Sequence, residues 1–213
     1  MKLYSYFRSS AAFRVRIALN LKDLPYEAAF VHLAKGAHRA ADYSAINPQA
    51  LLPTLDDDGK LLTQSLAIIE YLDETRPAAP LLPRDAPGRA RVRSLAMLVA
   101  CEIHPLNNLR VLQHLKRALG QNDEQVNAWY RHWIADGLAK FEADLARSHG
   151  TGKFCHGDAP TMADCCLVPQ IFNAQRYQCD TASYPVTMRV FAHCMQLDAF
   201  DRAQPSKQPD AEK

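Results

Sequence analysis

In Arg8-Ser9-Ser10 an arginine and two hydroxyls stand where a strand-like run gives way to a helix-like one. A hydroxyl beside the open amides of a first helical turn can stabilise an anion, because those N–H groups lack intrahelical partners and the helix dipole is positive there. A thiolate in that position would form at a lower pH than in water. A plain serine N-cap accounts for the same residues. Leu51-Leu52-Pro53-Thr54 precedes a hairpin signal. A cis proline would expose its neighbour's backbone to an extended peptide, and a trans proline entering an edge strand is the other reading. Gln64-Ser65 opens a further helix whose N-terminus can receive a carboxylate or simply be capped. These three places converge on a small peptide-like thiol as ligand. Farther along, His104 and Asn108 stand four apart, which predicts one helical face with Arg110 close by. A histidine that interrupts the helix before Pro105 is the alternative.

Secondary structure has to hold these residues in place. Leu3 to Phe7 reads as a strand, Ser9-Ser10 as the cap of a helix with Val15, Ala18, Leu19 and Leu21 on its apolar face, and Tyr26 to Leu33 as a second strand. A right-handed crossover makes this a βαβ unit. After a polar helical segment ending near Asn47-Pro48, Asp58-Gly59 between two short runs predicts a hairpin, and a helix with Leu66, Ile68, Ile69 and Leu72 inside follows. The order β-α-β-α-β-β-α over 1–79 predicts an α/β domain of thioredoxin type. Prolines at 77, 80, 83 and 87 mark a connection. Beyond it, 88–204 reads as an all-α domain, with Val126, Trp129, Trp133, Ile134, Leu138, Phe141 and Leu145 as one core-facing stripe. Thr161 and Asp164 have the spacing of a capping box. The polar, proline-bearing stretch 205–213 is expected to be a mobile tail.

Composition narrows the function classes. The 213 residues are 48% hydrophobic and 23% charged, with a formal charge of +2, which suits an ordinary globular protein. Arg89, Arg91 and Arg93 lack interleaved aromatic residues and read as a solvated helical face, so no nucleic-acid partner is expected. No apolar run approaches the roughly 18 residues of a spanning helix, so no membrane association is expected and cytoplasm is the default. The cysteines at 101, 155, 165, 166, 179 and 194 include no C-x-x-C pair, so reduced thiols and no metal are expected.

The stretch Ser9-Ser10-Ala11-Ala12-Phe13-Arg14-Val15-Arg16-Ile17-Ala18-Leu19 resembles the S-S-C-x-x-R-V-R-I-A-L signature of zeta-class glutathione transferases. Asn47 to Leu55 and Gln64 to Leu72 resemble that class's next two motifs, and the likeness runs to about residue 200. The resemblance implies the glutathione-transferase fold, glutathione as cofactor and a homodimer. It implies that Ser9 and Ser10 face the thiolate, that Leu52 lends backbone to the cysteinyl part beside a cis Pro53, and that Gln64 and Ser65 hold the γ-glutamyl end. His38, a surface histidine on its own showing, is implied near the glycyl end, and His104 and Asn108 around the second ligand site, where they are implied to contact glutathione, that of the second subunit included. The implied activity is glutathione-dependent cis–trans isomerisation of a small maleyl dicarboxylate. Maleylpyruvate is expected ahead of maleylacetoacetate, and general transfer to electrophiles is the other alternative. Arg8, Arg110 and Arg176 are the cations implied for the substrate's oxyanions. One departure stands out: Ala11 occupies the position where the class usually has cysteine.

Overall fold

The computed structural model describes residues 1–212. Strands β1 (Lys2–Ser5), β2 (Glu27–Phe30), β3 (Thr54–Asp57) and β4 (Lys60–Thr63) form one sheet in the order β2-β1-β3-β4. β1 runs parallel to β2, as a crossover through helix α1 (Ser10–Leu21) requires, and antiparallel to β3. The β3–β4 hairpin turns on Asp58 and Gly59, both at positive φ (53° and 84°), the backbone that an Asp-Gly loop favours. β2 is shorter than the predicted run from Tyr26 to Leu33, because only Glu27–Phe30 finds partners on β1. Helices α2 (Ala41–Ile46) and α3 (Ser65–Thr75) complete the predicted order of elements.

Cα packing divides the chain into two compact units. The first is Met1–Leu82 joined by the chain from Met195 onward, and the second is Pro83–Cys194. By its composition 195–204 is expected with the helical half. In the structure helix α9 (Asp198–Arg202) belongs with the sheet: Asn20 Nδ2 of α1 donates to Ala199 O at 2.9 Å. Of the stretch 205–213, expected to be mobile, residue 213 lies outside the described residues, and 205–212 carry specific contacts as well. Asp210 Oδ2 accepts from the Phe7 amide at 3.0 Å, and Ala211 packs on the buried cluster of Tyr6, Phe7, Val31, Tyr43 and Leu52. In the same unit the Lys22 ammonium is fully enclosed. It donates to Asp73 Oδ1 at 2.8 Å and to the carbonyls of Arg76, Ala78 and Ala79 at 3.0 to 3.2 Å.

In the second unit, α4 (Ala86–Met97) runs into a π-helical segment, Leu98–Ile103, and a 3₁₀ turn, Pro105–Asn107. α5 (Leu109–Arg117), α6 (Asp123–Ala146), α7 (Met162–Arg176) and α8 (Pro185–Met195) follow. α6 buries Val126, Tyr130, Ile134, Leu138, Phe141 and Leu145. Trp129 and Trp133 are only half-buried, contrary to the expected stripe, and Trp129 Nε1 donates to Leu106 O at 2.9 Å. Gly137 lets α6 approach the π segment: a Cβ there would lie 2.3 Å from Ile103 Cγ1. The predicted capping box starts α7, with the amide and hydroxyl of Thr161 each 2.8 Å from Asp164 Oδ2. Asp164 is wholly buried, and its Oδ1 accepts from the Cys155 amide at 2.8 Å. Burial holds its carboxyl above the usual range, against the pull of these donors. Among the described residues no helix is long and apolar enough to cross a membrane.

Candidate functional site

Ser9 is the N-cap of α1. Its Oγ accepts from the Ala12 amide at 3.2 Å, and Ser10 is the first helical residue. Both serines are buried. Below them lies Arg16, 1% exposed, whose guanidinium donates to Ser5 Oγ and to the carbonyls of Tyr6, Phe7 and Ala203. Burial lowers its pKa to about 10, with Tyr26 and Asp210 pulling the other way. The turn that presents Arg8, Ser9 and Ser10 is therefore fixed from underneath. Arg8 is exposed, with its guanidinium 4.8 Å from the Phe7 ring centroid and Nη2 3.2 Å from Glu212 Oε2.

The Leu52–Pro53 peptide is cis. Tyr43 and Asn47 hold the corner around it. The Tyr43 hydroxyl donates to Leu51 O at 2.6 Å, so at 2.8 Å it accepts from Thr54 Oγ1. Asn47 Nδ2 donates to Leu51 O and Thr54 Oγ1 at 2.9 and 3.1 Å. With Leu51's carbonyl taken, the Leu52 main chain has no hydrogen bond among the described residues. Gln64, at φ 68°, caps α3 and donates through Nε2 to Gln49 Oε1 at 2.7 Å. Left-handed backbone is costly for a residue with a side chain, and it persists where the surroundings enforce it. Ser65, the buried first residue of α3, accepts from Arg14 Nη1 of α1 at 3.2 Å, which ties the two helix starts together.

His38 lies in the 3₁₀ turn Ala37–Arg39 and is buried, not on the surface. Its Nδ1 has no hydrogen-bond partner among the described residues. Burial, with the Arg39 charge adding, lowers its pKa and favours the neutral ring. Leu52 and Phe7 share one apolar cluster, and Ala37 packs on it. The sheet unit thus gathers Arg8, Ser9, Ser10, His38, Leu52, Pro53, Gln64 and Ser65 around two linked helix starts and the cis corner.

The helical unit corrects one expectation. His104 and Asn108 do not share a helical face, because Pro105 has no N–H to continue the ladder and the helix ends in the π segment before it. The His104 amide makes the closing bond, to Val99 O at 2.9 Å. Asn108 is instead the N-cap of α5, its Oδ1 accepting from the amide of Arg110, whose side chain is exposed. Pro105 followed by an asparagine ahead of a new helical run is the signal that points to this break. At the C-terminal end of α7, the Arg176 guanidinium lies 5.0 Å from the Tyr177 ring centroid. Tyr130 and Tyr177 stack at 3.5 Å and 8°. Burial pushes the Tyr130 pKa up to about 12, the Arg176 charge opposing it.

Comparison with known proteins places this geometry. Residues 8–75 match the glutathione S-transferase N-terminal domain. Maleylpyruvate isomerase of Ralstonia sp. is 49% identical over 99% of this chain and 100% of its own length. A holo structure described as maleyl pyruvate isomerase, a bacterial zeta-class glutathione S-transferase, superposes at a TM-score of 0.98 with 49% identity and full coverage of both chains. The chain is a zeta-class glutathione transferase. A maleylacetoacetate isomerase structure from Methylobacterium extorquens, with bound malonate and glutathione, gives 0.97 and 46%, again over both full chains. In this transferase the Leu52 main chain, without a hydrogen bond among the described residues, suits an extended ligand rich in amides. Sequence reasoning missed Tyr43, Asn47, Gln49 and Arg16, which act by holding the residues it did select.

Proposed function

We propose that this transferase catalyses glutathione-dependent cis–trans isomerisation of maleylpyruvate to fumarylpyruvate, in the gentisate branch of aromatic catabolism. The observation that carries this reading is its end-to-end likeness to the Ralstonia enzyme. When bound, glutathione supplies a thiolate that adds reversibly to the activated double bond, so that the bond can rotate before elimination, and it is not consumed. The hydroxyls of Ser9 and Ser10 and the N-terminus of α1 stabilise negative charge on that sulfur. Ala11 leaves no enzyme thiol in this turn, so these groups carry the task without one. Leu52, presented by the cis Pro53 corner, pairs with the extended peptide. Gln64 and Ser65 receive the γ-glutamyl end, and the neutral His38 ring hydrogen-bonds near the glycyl end. Arg8, Arg110 and Arg176 grip the substrate's carboxylates and the oxygen on which charge gathers, because planar guanidinium groups match planar oxyanions. The Tyr130 and Tyr177 rings keep Arg176 in place. His104 and Asn108 border the second ligand site.

The Methylobacterium relative favours maleylacetoacetate as a second substrate reading. Class membership supports a homodimer. The need for reduced glutathione and the free cysteines support a cytoplasmic location. The test is absorbance of freshly generated maleylpyruvate, and of maleylacetoacetate, with purified protein in the presence and absence of glutathione. Rapid glutathione-dependent conversion of maleylpyruvate without glutathione loss is the expected result. Turnover of neither compound, with glutathione still bound, overturns the isomerase reading.

A further inference from the structure

The polar C-terminal segment has no part in the chemistry above, yet it ends on one of its residues. Two long-range hydrogen bonds fasten the C-terminal chain before that point: Arg16 Nε donates to Ala203 O at 3.1 Å, and Asp210 takes the amide of Phe7, the residue preceding Arg8. Between them Gln208 Nε2 donates back to the carbonyls of Arg202 and Gln204 at 2.9 Å each and stiffens the stretch. Ala211 then packs on the Tyr6–Phe7 cluster. The next residue, Glu212, spreads its two oxygens over two partners, Oε2 on Arg8 Nη2 at 3.2 Å and Oε1 on His32 Nε2 at 2.7 Å. The hydrogen bond from His32 holds the Glu212 carboxyl below the usual range, and the nearby charges of Arg8 and Lys35 act in the same direction. Glu212 is therefore delivered to Arg8 by an anchored strap.

We propose that Glu212 sets how tightly the site takes carboxylates: it is the resident carboxylate on Arg8 that an incoming substrate carboxylate must displace. The proposal rests on the reading of Arg8 as a carboxylate-binding group. Glu212 takes a single guanidinium nitrogen, whereas a free carboxylate can grip the same group with two parallel bonds, so displacement is feasible and its cost is set by Glu212. Every anion that takes Arg8 meets this competition, and a ligand that does not use Arg8 escapes it. Because the pair is exposed, the effect is modest, about two- to five-fold in affinity.

The experiment compares wild type, E212Q and R8A, measuring KM and kcat for the maleyl substrate, KM for glutathione, and Ki for malonate as a simple dicarboxylate. E212Q is expected to lower the substrate KM and the malonate Ki by about two- to five-fold. Its kcat and glutathione KM stay at wild-type values, and the difference shrinks as NaCl is added. An unchanged or raised Ki and KM in E212Q, with R8A still weakening malonate, overturns the role of Glu212 and leaves Arg8 intact. If R8A alters neither the malonate Ki nor kcat/KM, the reading of Arg8 fails and the proposal falls with it. H32A, which removes the second hold on Glu212, is expected to shift Ki in the same direction as E212Q by a smaller factor.

Discussion

At the cis corner of the sheet unit every holding group is neutral: Tyr43, Asn47 and Thr54 share their hydrogen bonds among themselves and Leu51 O. At the start of α7 a single buried carboxylate does the comparable work, collecting two amides and a hydroxyl on Asp164. Both arrangements fix a segment that carries candidate site residues, Leu52 in one and Arg176 in the other. They differ in redundancy. Leu51 O and Thr54 Oγ1 each keep a second partner if the Tyr43 hydroxyl is lost, whereas no other acceptor is shown for the amides of Cys155 and Thr161 if Asp164 is lost. A shared neutral network should yield gradually, and a lone charged hub abruptly.

The sharpest way to break that contrast is Asp164→Ala. Two buried amides lose hydrogen bonds to a charged acceptor, and a cost of about 3 kcal/mol or more is expected in urea unfolding. A loss near 1 kcal/mol would put the two anchors on a par. Tyr43→Phe should cost about 1 kcal/mol, since Asn47 still serves both acceptors, and should raise the glutathione KM more than it lowers kcat. Steady-state kinetics with varied glutathione would check the second part. Ser9→Ala removes the α1 cap at a cost of about 1 kcal/mol, and Ser9→Gly should cost only a few tenths. Losses near zero in both variants would show that the cap contributes nothing. The smallest effect concerns pH. The folded pKa of His38 lies below its unfolded value, so between the two the folded chain binds fewer protons. Stability therefore falls as pH drops through about 6.5 toward the folded value. His38→Gln should flatten that part of the profile when thermal midpoints are compared between pH 8 and pH 5.

Local chemistry made much of this legible in the sequence. Asp58-Gly59 sets its hairpin, Ser9 caps α1, and Thr161 with Asp164 starts α7, all through partners within a few residues. The groups that escaped reading act over long separations or against composition. Arg16 looks like a surface charge on an amphipathic helix, and only the carbonyls of Tyr6, Phe7 and Ala203 make its burial tolerable. The stretch after Pro205 has the composition of a loose end, but Asp210 meets the Phe7 amide some two hundred residues away. Hydrophobicity likewise ranked Trp129 and Trp133 above Tyr130, although Trp129 needs an acceptor for its indole N–H and Tyr130 takes the buried place. At His104 to Asn108, the four-residue spacing competed with Pro105, and the missing amide decided the outcome.

Lysines are the usual targets of acylating reagents, which need a free, solvated amine. Lys22 has no exposed side-chain surface and four oxygen partners. Mass-spectrometric footprinting of the native protein should therefore mark exposed lysines such as Lys60, Lys116 and Lys140 and pass over this one. Its labelling would begin only when the 76–79 stretch comes away from α1, so this single side chain serves as a chemical clock for the opening of that part of the fold.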